Sequence, residues 1–362
     1  MGGTIVVKIG TSSITDVAGG VSAEVVTNLV GQVGELSRSG HRVVVVSSGA
    51  VAAGLQALGM ARPNDVLTKQ AVSAVGQSRL MRAWDDAFGA IGLISGQALL
   101  TPNDFFDRAQ YLHARNTFQR LLELGVIPIV NENDALADDE LRFGDNDRIA
   151  ALVAHLVSAE LMVLLTDMDG LYTDDPRKDP HAQLIAQLDS ITPEVERLAG
   201  GSGTAGGSGG MRSKIKAAHI ASLSGVRTVI ANAGRPGVLV DAARGRSVGT
   251  EVLPQERALS ARKLWIGFAV ETDGGLCVDL GAKQALMDRG VSLLPAGVVS
   301  VAGEFEEGSA VEIAGPDGVP FARGLVRYDS RAAAAAAGKR SADLPDEAST
   351  VMVHRDDLVI TV

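Results

Sequence analysis

Residues 200–214 read GGSGTAGGSGGMRSK, with seven glycines between positions 200 and 210 and a lysine, Lys214, four residues past the last of them. The fold turns on how this stretch is read. As a Gly/Ser linker it is flexible spacing between two bodies. As a phosphate loop it offers backbone N–H groups to an anion, with Lys214 near the start of the next helix. Composition alone fits both. Gly201, Gly203 and Gly206 match G-x-G-x-x-G, but they follow a helix-like segment (192–199) and not a strand, so the dinucleotide fingerprint lacks its context. A Walker A loop requires Gly-Lys-Ser/Thr, and here Gly210 is followed by Met211.

Working outward, the 362-residue chain is long enough for two domains, or one large and one small. It is 46% hydrophobic and 21% charged, an ordinary globular mix, and only 4% aromatic, so its core is built from Val, Leu, Ile and Ala. A net charge of −10 argues against a nucleic-acid binder that depends on bulk electrostatics. No apolar run approaches the roughly 18 residues of a membrane helix. The start, MGGTIVVKIG, lacks the basic n-region of an export signal. Cys277 is the single cysteine, which excludes an internal disulfide and fits a reducing cytoplasm.

Before residue 250, short apolar runs alternate with helix-length segments. The runs 5–7 (IVV), 43–46 (VVVV), 127–130 (IPIV), 161–165 (LMVLL) and 228–231 (TVIA) read as buried strands. Between the first two, Val25, Leu29, Val33 and Leu36 recur at helical spacing, with Ser22 as N-cap and Glu24 in the first turn. Continuous apolar strands separated by helices predict an α/β fold whose mainly parallel sheet is covered by helices on both faces. Ligands of such sheets sit beyond the carboxyl ends of the strands. After Thr250 the pattern changes. TEVLPQERALSAR (250–262) reads as a connector, and strand-like pieces follow at 264–270, 276–279, 297–301, 310–313, 324–328 and 357–362, spaced as in a small β-barrel. The alanine run 332–337 reads as a short helix or a mobile loop. The predicted domains are 1–255 and 261–362, so the glycine-rich stretch lies inside the first domain and the junction some fifty residues beyond it.

The strand-end loops carry polar residues that a bare fold does not require. Lys8 at the end of a buried strand beside Gly10 is costly unless it meets an anion or snorkels to water. Ser47-Ser48-Gly49-Ala50 opens a helix, as a cap or as a ligand contact. Asn131-Glu132-Asn133-Asp134 follows the third run directly, in a place where turns also favour Asn and Asp. Phe143-Gly144-Asp145-Asn146-Asp147 opens another helix; capping explains one aspartate but not both together with Asn146. Thr166-Asp167-Met168-Asp169-Gly170 could hold a nucleotide or a hydrated metal, or form an Asx-turn. Lys214 completes the set. Two lysines, several carboxylates, anion-seeking backbone and no histidine in any cluster suggest phosphoryl transfer, which needs positioning and charge neutralisation more than a proton shuttle. A carboxylate acceptor would need no general base, because the nucleophile is already ionised.

The motifs VVKIGTSS (6–13), VVSSGAVAAG (45–54), IPIVNENDA (127–135), FGDND (143–147), LLTDMDGLYTDDP (164–176) and GGMRSKIKAA (209–218), in that order, closely resemble the bacterial glutamate 5-kinase family of the amino-acid kinase superfamily. KLWIGF, SLLPAGVVSVAGEF, ARGLVRYDS and VHRDDLVI in the tail look like the PUA domain that many members append. The resemblance covers essentially the whole chain. It implies an amino-acid kinase fold over 1–255, a small all-β PUA-like barrel over 261–362, and ATP-dependent phosphorylation of the γ-carboxylate of L-glutamate, the first step of proline synthesis. It assigns Lys8 and Lys214 to the phosphates and transition state, with Asp147 orienting both lysines. Ser48, Asp134 and Asn146 would hold glutamate, Asp134 facing its ammonium group, and Asp145 would lie beside the substrate or its Mg2+. Thr166 and Asp167, with Ser208, Gly209, Gly210, Met211, Arg212, Ser213 and Lys214, would contact the nucleotide. No direct protein ligand to the metal is implied. Proline as feedback inhibitor, a homo-oligomer (dimer or tetramer) and a cytoplasmic location are further expectations. Ser208 stands where the family usually has threonine, so the hydroxyl is kept.

Rival readings are another amino-acid kinase, acting on aspartate or acetylglutamate, and, more remotely, an RNA-binding PUA protein. Aspartokinases usually begin Lys-Phe-Gly-Gly-Thr and carry ACT domains, whereas this chain has Lys8-Ile9-Gly10-Thr11 and a β-rich tail unlike ACT. Residues 261–362 hold ten Lys/Arg against fifteen Asp/Glu, a local net of −5 without a basic stripe, which weighs against RNA.

Overall fold

The valine-rich runs lie in the middle of a sheet. A computed structural model describes residues 2–361 apart from 17–18, 106–107, 137–145, 201–209, 257, 271 and 346–348. The chain divides into two units, Met1–Ala258 and Leu259–Val362. Among the described residues the first holds eight strands: β1 (Thr4–Ile9), β2 (Arg42–Ser47), β3 (Ile94–Leu100), β4 (Val126–Glu132), β5 (Leu161–Thr166), β6 (Gln187–Leu188), β7 (Arg227–Asn232) and β8 (Gly249–Val252). Their order across the sheet is β3-β4-β2-β1-β5-β7-β8-β6. Pairing is parallel except between β7 and β8. The mainly parallel α/β sheet read from the sequence is thus present.

β1 and β5 are buried at every residue, β2 at all but Arg42. Only strands covered on both faces can be continuously apolar. One covering helix, Ala23–Arg38, begins where Ser22 Oγ accepts from Val25 N at 3.3 Å and turns Val26, Leu29, Val30, Val33 and Leu36 into the core. Glu24 in its first turn and Arg38 in its last complement the helix dipole. Leaving β1, the chain builds β2 on one side and later β5 on the other, so the carboxyl ends of β1, β2 and β5 flank a topological switch point.

Two glycines shape the loop after β2. Gly49 has φ +114°, a conformation costly for any residue with a Cβ, and it lets helix Ala50–Leu58 start immediately behind Ser48. Gly76, on helix Val66–Ala90, faces the first turn of that helix. A Cβ built there would lie 1.7 Å from the Ala50 carbonyl oxygen, so the two helices cross in backbone contact.

The second unit carries β9 (Gly274–Val278), β10 (Val298–Gly303), β11 (Ala310–Ala314), β12 (Pro320–Val326) and β13 (Val353–Ile360), ordered β10-β9-β11-β12-β13. The β9–β11 pair is parallel and the others antiparallel. Leu276, Val311, Ile313, Phe321, Met352 and Val353 form its core. The alanine run lies in helix Ser330–Ala336, capped by Asp329, which accepts from Ala332 N at 2.8 Å. The expected strand 264–270 is a correction: Ala261–Leu264 is α-helical and Trp265–Ala269 continues as a wider, π-type turn. A short apolar run has no period that separates a buried strand from a buried helix. Here the Ser260 hydroxyl accepts from Lys263 N at 3.4 Å, a capping contact that favours the helix. The last strand begins at Val353, four residues before the expected start, because its half-buried His354 and exposed Arg355 and Asp356 break the apolar run.

Candidate active site

Four strands of the first unit deliver polar residues to one end of the sheet. Lys8 and Gly10 come from β1, Ser47 and Ser48 from β2, Asn131 to Asp134 from β4, Thr166 and Asp167 from β5. Two helices start at the same end, Asn146–Leu156 and Met211–Leu223, and contribute Asn146, Asp147, Ser213 and Lys214.

The centre is Asp147. Its Oδ1 lies 2.6 Å from Lys8 Nζ and its Oδ2 3.2 Å from Lys214 Nζ; Ser213 Oγ donates to Oδ2 at 2.6 Å. All three charged residues are nearly inaccessible: Lys8 and Lys214 are 4% exposed and Asp147 1%. Desolvating an isolated ion costs several kcal/mol, so such groups persist only when paired. Burial pushes the Asp147 carboxyl pKa upward, but Lys8 and then Lys214 more than offset it and hold the group well below the usual aspartate range. The result is a carboxylate that stays ionised and keeps two ammonium groups side by side with one net positive charge.

A cleft of about 450 Å3 opens over this triad, walled by Lys8, Gly10, Asp147, Thr166, Asp167, Gly210, Met211 and Lys214. That is a size suited to a small-molecule ligand. A second cleft, of about 620 Å3, is lined by Ser48, Gly49, Asn131, Asp134 and Asn146. Thr11 and Ser48 belong to the walls of both, so the clefts adjoin.

The second cleft is floored by a chain of amide hydrogen bonds. Asn146 Nδ2 donates to Ser48 Oγ at 3.1 Å and to Asn131 Oδ1 at 2.9 Å. The Glu132 backbone N–H is shared between Asn146 Oδ1 at 3.1 Å and Asn131 Oδ1 at 3.0 Å. Asn131 Nδ2 donates to Gln77 Oε1 at 2.7 Å. Beside this chain, Asp134 accepts from Ser73 Oγ at 2.6 Å. Burial raises the Asp134 pKa above the ordinary carboxylate value, and the Ser73 hydrogen bond pulls it partly back. A buried carboxylate with one oxygen hydrogen-bonded to Ser73 and no ion pair among the described residues is suited to an incoming cation such as a substrate ammonium. Behind the loop, Trp84 Nε1 donates to Ser47 Oγ at 3.0 Å and fixes the end of β2.

Of the residues expected from sequence, Lys8, Asp147 and Lys214 meet at one point, and Ser48, Asn146 and Asp134 line the neighbouring cleft. Thr166 and Asp167 line the first cleft, and the Thr166 hydroxyl donates to Asp167 Oδ1 at 3.1 Å. Gly210 and Met211 line it as well; Arg212 is exposed and outside its wall, and Ser213 faces Asp147 instead of the cleft. Asp145, Ser208 and Gly209 lie outside the described residues. Sequence reasoning gave no role to Asn131 and overlooked Ser73 and Gln77. The last two sit on a long helix without an anion-binding pattern, and their partners lie 61 and 54 residues away in the chain.

The profile of the amino acid kinase family matches residues 3–232, and that of the PUA domain residues 274–347. The chain is 46% identical over 361 residues to the glutamate 5-kinase of Geobacter sp. (strain M21), covering 98% of this chain and 97% of that protein. It is 43% identical over 362 residues to the glutamate 5-kinase of Pasteurella multocida (strain Pm70), covering 99% and 98%. Among solved structures, the carbamate kinase from Giardia lamblia bound to AMP-PNP superposes with a TM-score of 0.51 at 16% identity, over 70% of this chain and 99% of that one, a likeness of fold alone. With the paired lysines and their aspartate at the sheet's switch point, the chain belongs to the amino acid kinase family, alongside its glutamate 5-kinase relatives.

Proposed function

We infer that the chain transfers the γ-phosphoryl group of ATP to the γ-carboxylate of L-glutamate, giving γ-glutamyl phosphate, the first step of proline biosynthesis. The observation that carries this is the pair of adjoining clefts, one floored by Lys8–Asp147–Lys214 and the other by Asp134 and the amide chain, with Ser48 at their boundary. Anionic phosphates suit the lysine cleft. An amino acid with a free ammonium group suits the cleft of Asp134.

In the step itself a γ-carboxylate oxygen attacks the γ-phosphorus. The bond from phosphorus to the β–γ bridging oxygen breaks, and ADP leaves with that electron pair. No proton has to be removed from the nucleophile, which agrees with a site whose charged centre is Lys, Asp and Lys. The barrier lies in bringing a carboxylate up to a triphosphate, so charge neutralisation is the larger part of catalysis. Lys8 and Lys214 supply it, and Asp147 keeps them together without an unpaired repulsion. Thr166, Asp167, Ser208, Gly209, Gly210, Met211 and Lys214 are assigned to the nucleotide, with Ser213 holding Asp147, and Asp134, Ser48 and Asn146 are assigned to glutamate. The resemblance assigns Asp145 to the substrate or its metal.

Mg2+ is part of this reading as the ion that nucleotide phosphates carry. Among the described residues no three His, Cys, Asp or Glu side chains converge as a metal site, and both oxygens of Asp147 are engaged by lysines. The family resemblance supports three further assignments: proline as feedback inhibitor, a homo-oligomer, and a cytoplasmic setting, the last also consistent with a single cysteine. No helix among the described residues is long and apolar enough to cross a membrane.

A coupled assay that traps the acyl phosphate as its hydroxamate, run with glutamate, aspartate and N-acetylglutamate, tests the reading. Glutamate is expected to give the highest kcat/KM; a clear preference for either of the others overturns it.

A further inference from the structure

We propose that Gln77 is a positioning residue for the acceptor substrate: from outside the cleft it sets the direction of the hydrogen-bond chain that aims the Ser48 hydroxyl and the Asn131 amide at the substrate's carboxylate. This rests on reading the second cleft as the glutamate site.

The argument follows the protons. Asn131 and Asn146 each present one acceptor and one two-hydrogen donor, and either amide could in principle face either way. The backbone N–H of Glu132 faces both amide oxygens, at 3.0 and 3.1 Å, so it favours one orientation of each while being divided between them. With the oxygens there, the Asn146 Nδ2 group must donate to Asn131 Oδ1 and to Ser48 Oγ. The Asn131 Nδ2 group then needs an acceptor, which Gln77 Oε1 supplies at 2.7 Å, the shortest link in the chain. Asn146 thus donates both ways, to Ser48 Oγ on one side and to Asn131 Oδ1 on the other, and Asn131 carries the direction on by donating to Gln77 Oε1.

The consequence appears at the open end. Because Ser48 Oγ accepts from Asn146, its own hydrogen is available to be donated into the cleft. The second hydrogen of Asn131 Nδ2 is likewise available there, since Asn131 lines the cleft and Gln77 does not. Two donors directed at one place are what an anionic carboxylate requires, and a reversed chain would present lone pairs to it instead. Gln77 is therefore selected by its acceptor oxygen and not by its volume. Its helix is pressed against helix Ala50–Leu58 through Gly76, one residue away, which holds the acceptor at a fixed distance from Asn131.

The test compares Gln77→Met, which keeps the length and removes the acceptor, with Gln77→Glu, which keeps an acceptor oxygen. KM for glutamate, KM for ATP and kcat are measured by hydroxamate trapping, with thermal denaturation as the folding control. Q77M is expected to raise the glutamate KM about tenfold, as misaligning a substrate-binding hydrogen bond does, with the ATP KM and kcat within about twofold. Q77E is expected to stay within about threefold of the parent in every parameter. Should Q77M be insoluble, Gln77→Lys, which offers only donors, carries the Q77M expectation. An unchanged glutamate KM in Q77M or Q77K overturns the proposal, as does an equal rise in both KM values or an equal loss in Q77E. If the parent itself fails to use glutamate, the assignment of the cleft falls. If the parent uses glutamate and Q77M behaves identically, the role of Gln77 alone falls.

Discussion

Replacing Asp147 by asparagine removes the charge between Lys8 and Lys214 while keeping the shape. Both ammonium groups are then 4% exposed with no anion between them. Deleting one partner of a buried ion pair costs about 3–5 kcal/mol, because the surviving charge stays desolvated. At about 2–4 °C per kcal/mol for a domain of this size, Tm without nucleotide should fall by roughly 10 °C. Two additions separate this cause from a general loss of packing. A non-hydrolysable ATP analogue should narrow the gap to the parent, since its phosphates replace the missing anion. Lys8→Met placed on Asp147→Asn should recover part of the lost stability, whereas on the parent it should destabilise. Differential scanning fluorimetry on the four proteins, with and without the analogue, makes the measurement. The folded-state pKa of Asp147 is depressed, so its contribution is complete above the ordinary value of 3.8 and is lost only as pH falls below that. The gap between parent and Asp147→Asn should therefore be constant across neutral pH. An unchanged Tm, or a Lys8→Met change that adds to the loss, refutes the reasoning.

Lys214→Ala should lower kcat by at least about 10²-fold, the scale seen when a transition-state charge contact is lost, and near-normal turnover would take it out of the catalytic set. Asp134→Ala should raise the glutamate KM and leave that for ATP nearly unchanged; equal damage to both would contradict its assignment. Because the Asp134 pKa is raised, the parent's glutamate KM should begin to climb on acidification at a higher pH than an ordinary aspartate would give, and Ser73→Ala should move that onset higher still, as a pH series of KM would read. A chain ending at Ala258 should remain folded and active, by size-exclusion chromatography and the hydroxamate assay, because the two units have separate cores.

What could be read in advance followed burial. β1, β2, β4, β5 and β7 are enclosed on both faces and therefore write themselves as unbroken apolar runs. β3 went unread because it is an edge strand paired to β4 alone: its ISGQALL is a mixture of exposed and half-buried positions up to the buried Leu100 and contains Ser95, Gly96 and Gln97. β6, at two residues, is too short to carry a pattern. The triad was legible because Lys8 interrupts the apolar run of β1 near its end and Asp147 and Lys214 lie in the first turns of helices, where polar residues stand out against apolar neighbours. Ser73 and Gln77 were not, since a polar residue on an exposed-looking helix gives no sign of a partner brought to it from β4 by the fold.

Helix glycines ordinarily represent an avoidable loss, and alanine in their place usually restores about 1 kcal/mol. Gly89, near the end of helix Val66–Ala90, is of that ordinary kind, with open space where a Cβ would go. Gly76 on the same helix is its opposite. A methyl group there would force the helix off the Ala50 carbonyl and move Gln77 away from Asn131. If Gln77 positions the acceptor as proposed, glutamate affinity depends on an atom that is missing from a residue touching no ligand, and a search for tighter helices that treats all glycines alike would at Gly76 lose affinity and stability together without passing through either cleft.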